Sequence, residues 1–138
     1  VGAFRASISL GVGDFQKAVA AFQEEHGEKW LDKFARFYLG EKRCTDLSDS
    51  CALQSLTSEV TRLDSTTKGA FEEALIESAK TFSEGLPSSD GEIDDRAWAD
   101  LALLVGGATL ARAVKDPALA DTIAKAAHKA IIDHSEKE

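Results

Sequence analysis

The chain has 138 residues, enough for one domain that buries roughly two-thirds of the surface its unfolded form exposes. Hydrophobic residues make up 43% and charged residues 29%, a balance that excludes the disordered and fibrous classes. The net charge of -8 repels phosphate backbones and anionic lipid, which makes this chain alone a poor candidate for binding either.

Only Pro87 and Pro117 interrupt the chain, and long proline-free stretches favour helices. The first predicted helix follows Gly13: Asp14 caps it, Phe15, Val19 and Phe22 recur on one face, and Gly27 ends it. The second spans Glu28 to Leu39, with Trp30, Leu31, Phe34, Phe37 and Tyr38 on an aromatic face. Gly40 suits the left-handed position after its end. A polar connection, Glu41 to Ser50, leads to a helix over Cys51 to Leu63 with Leu53, Leu56, Val60 and Leu63 inward. The next starts after Asp64 or Ser65 and reaches Glu84, carrying Phe71, Leu75, Ser78 and Phe82 before the stop at Gly85-Leu86-Pro87.

Pro87 to Asp95 reads as a loop. The following helix, Arg96 to Val114, is apolar or small nearly all round: Trp98, Leu101, Leu103, Leu104, Val105 and Leu110, with Gly106 and Gly107 between. Asp116 and Pro117 start a final helix that reaches His134 and presents Leu119, Ile123, Ala126, Ala127, Ala130 and Ile131. A helix apolar on every side has to be covered on every side. Two copies pairing these last two helices into a four-helix bundle supply that cover, through Leu103, Gly107, Leu110, Ala111, Ile123, Ala127, Ala130 and Ile131. A monomeric bundle that buries the apolar helix at its centre is the alternative.

Catalytic constellations are weak. His26, His128 and His134 are scattered and stand in no metal-ligand spacing, so His128 and His134 read as solvated and no metal or cofactor is expected. Gly11-Val12-Gly13 lacks the third glycine of a dinucleotide motif, and no nucleophile elbow occurs, so the chain is not read as an enzyme. Concave apolar binding remains: a pocket for a small apolar or aromatic effector, walled by Phe15, Val19, Phe22, Trp30, Phe34, Phe37, Tyr38, Phe71, Leu75 and Trp98. Tyr38, Gln54, Ser58 and Thr109 are its polar candidates. An aromatic stripe is equally the ordinary signature of a closed core, and both readings stand at this point.

The run Ala102-Leu103-Leu104-Val105-Gly106-Gly107-Ala108-Thr109-Leu110-Ala111-Arg112-Ala113-Val114, followed by Asp116-Pro117-Ala118-Leu119-Ala120-Asp121, resembles the last two helices of TetR-family transcriptional regulators. Cys51-Ala52-Leu53, Leu56, Ser58-Glu59-Val60, Arg62 and Ala70-Phe71 resemble the middle of the sensor domain in one branch of that family. The likeness covers about residues 28 to 132. It implies an all-α helical bundle of the TetR C-terminal-domain type, dimerising through its last two helices, with an effector pocket among the others and a repressor-type role. Operator DNA in that family is held by an N-terminal helix-turn-helix. Val1-Gly2-Ala3-Phe4 resembles entry into that head, residues 1–12 being a remnant of it, but Arg5, Ser7, Ile8 and Gly11-Val12-Gly13 depart from the pattern. With no methionine and Val1 first, the chain reads as a fragment whose head is missing. A dimeric carrier or interaction module without DNA is the alternative function.

In some relatives a cysteine at the position of Cys51 senses oxidants or electrophiles, and a helix N-terminus favours the thiolate there. A buried small hydrophobe is the plainer reading of Cys51. Two cysteines, Cys44 and Cys51, make no disulfide framework. No leader precedes an apolar run, and Leu101 to Ala111 is too short to span a bilayer, so a cytoplasmic protein is expected.

Overall fold

In the computed structural model the described residues are 2–40, 64–86 and 92–136, and they form an all-α bundle. Its helices are α1 (Gly2–His26), α2 (Trp30–Leu39), α3 (Ser65–Glu84), α4 (Asp95–Ala113) and α5 (Pro117–Glu136), with a 3-10 turn, Gly27–Lys29, between α1 and α2. No helix among the described residues is long and apolar enough to cross a membrane.

The first helix is longer than its sequence suggests. It begins at Gly2 and runs unbroken through Gly11 and Gly13, so Asp14 is an exposed interior residue rather than a cap. A glycine inside a helix lowers its stability by about 1 kcal/mol without ending it. Residues 2–13 are therefore continuous with the helix carrying Phe15 and Val19. Gly27, at φ +55°, supplies the left-handed step that turns the chain from α1 into α2.

Gly40 does not play the part expected of it. Its φ of -97° and ψ of -86° lie outside the left-handed region, while its N–H donates to the Arg36 carbonyl at 3.0 Å. Glycine fits there because a Cβ would stand 2.7 Å from that same carbonyl oxygen. The other caps follow the sequence closely. The Asp64 carboxylate accepts from the Thr67 N–H at 2.8 Å, Asp94 from the Arg96 N–H at 3.1 Å, and Asp116 from the Ala118 N–H at 3.1 Å. The segment Cys51 to Leu63, expected to be helical, lies outside the described residues.

At the centre sits α2. Trp30, Leu31, Phe34, Ala35, Tyr38 and Leu39 are all buried along one half of this short helix, while Lys33 and Arg36 on the other half are exposed. It packs against α1, α4 and α5, while α1 also lies along α3 and α4 along α5. A polar seam ties α1 and the start of α2 to the end of α3. Gln16 donates to the Thr81 hydroxyl at 2.9 Å, Gln23 to the Thr81 carbonyl at 2.8 Å, and the Trp30 indole to the Gly85 carbonyl at 2.8 Å. A Cβ on Gly85, the residue that caps the end of α3, would stand 2.7 Å from that indole nitrogen, so this position has to be bare.

The α4–α5 pair is close for the same kind of reason. A Cβ on Gly107 would meet the Ala127 Cβ at 2.8 Å and the Leu39 Cδ2 at 3.1 Å. Gly107→Ala is therefore expected to wedge α4 from both α5 and α2, lowering unfolding free energy by about 1–3 kcal/mol despite the better helix former. Urea unfolding with an unchanged m-value would show this; a variant as stable as the parent would mean that the contact yields without loss.

Candidate functional site

Two features of the bundle are candidates for function, and α2 touches both. The first is a ring cluster built by α1, α2 and α3. Phe34, fully buried, is at its centre: Phe15 meets it edge-on at 5.5 Å and Phe22 edge-on at 5.3 Å, while Tyr38 stacks at 5.7 Å. Phe15 also meets Tyr38 edge-on at 5.6 Å, and Trp30 meets Phe82 at 5.0 Å. These are the offset and T-shaped arrangements that ring quadrupoles favour. Phe15, Val19, Trp30, Phe34 and Tyr38 are buried, which makes them core residues of a single chain. Phe22 and Phe37 are half-buried at the rim, 5.3 Å apart, with His26 5.5 Å from Phe22.

The other residues expected around a pocket are less concentrated. Phe71 and Leu75 are half-buried on α3 and pack against the same core. Trp98 does not join the rings; it stands on the outside of α4, 36% exposed. Thr109 is exposed on the same helix. Gln54, Ser58 and Cys51 lie outside the described residues. Phe82, on the α3 stripe with Ser78, belongs to the cluster through Trp30.

The second feature is the outer surface of α4 and α5. Of the eight residues expected to join two copies, Gly107, Ala111, Ala127 and Ile131 are buried within the single chain. Gly107 and Ala127 face each other across the α4–α5 contact. Leu103, Ile123 and Ala130 are half-buried, and Leu110 is 59% exposed. Around Leu110 the outward residues of α4 are Trp98, Ala102, Thr109 and Ala113, with Val105 and Gly106 half-covered. No charged residue occurs between Asp100 and Arg112. On α5 the buried stripe is Ala120, Ala124, Ala127 and Ile131, and each is preceded by Leu119, Ile123, Ala126 or Ala130. His128, one step to the other side of the buried stripe, points at α2, so this second apolar stripe turns away from α2.

Charges occupy places that the sequence does not announce. His128 is half-buried and its Nε2 donates to Asp32 Oδ1 on α2 at 2.7 Å, where a solvated surface histidine was expected. The same carboxylate oxygen lies 3.8 Å from the Arg36 guanidinium. Arg96 and Asp100 are both buried at the start of α4, with Arg96 Nε 3.7 Å from Asp100 Oδ2. Their i, i+4 spacing is visible in the sequence; their burial is not, because such pairs usually lie in solvent. Among the described residues no cluster of three or more His, Cys, Asp or Glu side chains is placed to hold a metal ion.

Comparison with protein-family models, with curated proteins and with solved structures gives no match.

Proposed function

We propose that this chain is the small-molecule-sensing and dimerising part of a TetR-like, repressor-type transcriptional regulator acting in the cytoplasm. The observation that carries this reading is the position of α2 between a ring-lined core and an apolar outer pair. One side of α2 contributes Trp30, Phe34 and Tyr38 to the rings. Its far end places Leu39 against the Gly107 backbone of α4, and Asp32 holds His128 of α5.

A small aromatic guest would enter at the half-buried Phe22–Phe37 rim and take ring contacts that these side chains now make with one another. Rings displaced on α2 move Leu39 and Asp32, and through them the α4–α5 pair. A shift in that pair changes the spacing of two copies joined across it. In a regulator of this kind, such spacing decides whether two helix-turn-helix heads fit their operator. The charge of -8 suits a part that stays off the DNA.

The two tryptophans make the sensing step measurable. In a Trp98→Phe variant the remaining indole, Trp30, is buried in the ring cluster and reports on it. Titration with phenol, indole and naphthol is expected to quench that emission for at least one of them. The same compound should stabilise the fold by about 2.7 kcal/mol when present at a hundredfold excess over its Kd. If none of the three changes either the emission or the unfolding midpoint, the ring cluster is a closed core and the sensing role is wrong.

A further inference from the structure

We draw no further inference here: the strongest candidate, the exposed apolar surface that Trp98 and Leu110 give to the outer side of α4 and Leu119 to the start of α5, carries none because nothing in the structure shows what covers it.

Discussion

Phe34→Ala is expected to lower the unfolding free energy by about 3–5 kcal/mol, the largest loss any single truncation should produce here. Phe34 is fully buried and has rings on several sides: Phe15 and Phe22 edge-on, Tyr38 stacked, and Trp30 and Phe37 at 6.4 and 6.5 Å. Removing it opens a cavity at the point where α1 and α2 meet, and the ring pairs worth about 0.5–1.5 kcal/mol each are lost with it. A domain of this size has a total stability of about 5–15 kcal/mol, so the loss removes roughly a third to a half of a mid-range value. Denaturant unfolding at 25 °C gives the number directly. A loss below about 1.5 kcal/mol would mean that the neighbours collapse into the space, and that the cluster is looser than its geometry indicates. Such looseness would itself favour room for a guest, which makes this variant informative about the proposed sensing role.

Leu110→Glu acts on a different quantity. In the single chain Leu110 is 59% exposed, so replacing it should change the monomer's stability by no more than about 0.5 kcal/mol. In the proposed dimer the same position is covered, and two-fold symmetry introduces the new carboxylate twice on an already acidic pair of chains. Like charges juxtaposed at an interface cost several kcal/mol, so self-association is expected to weaken by at least about 100-fold while helicity is retained. Sedimentation velocity over a concentration series reads the change. An unaltered Kd would place the contact elsewhere on the molecule.

Much of this architecture is written locally. The caps Asp64 and Asp116 are legible because a short acceptor before an apolar periodic run has one common use, and Pro117 sharpens the second of them. The ring cluster is legible because Phe15, Val19 and Phe22, and then Trp30, Phe34 and Tyr38, recur at helical spacing. Other features depend on contacts that no local pattern encodes. Gly11 and Gly13 look like a break, yet the cost of a glycine is small enough for α1 to run through both. Gly106 and Gly107 are indistinguishable as letters, but one step along a helix turns a residue by about 100°, so one faces Ala127 and the other faces outward. The expected pairing surface divides the same way. Small residues suit any close helix contact, and Gly107, Ala111, Ala127 and Ile131 are buried within the single chain, leaving Leu103, Ile123 and Ala130 half-buried and Leu110 outside. Burial of Arg96 with Asp100 and the bridge from His128 to Asp32 are tertiary facts, since each residue taken alone reads as surface.

The joining of two copies across the outer face of α4 and α5 is the claim on which the account turns, and Trp98 lies on that face. In a Trp30→Phe variant its emission reports the face alone, provided that helicity and sedimentation match the parent. Emission recorded from nanomolar to high micromolar concentration is predicted to shift to shorter wavelength as Trp98 is covered, in step with a rise in sedimenting mass from one chain to two. Emission that stays at the long-wavelength position of a part-exposed indole, with the mass of a single chain at every concentration, would contradict it.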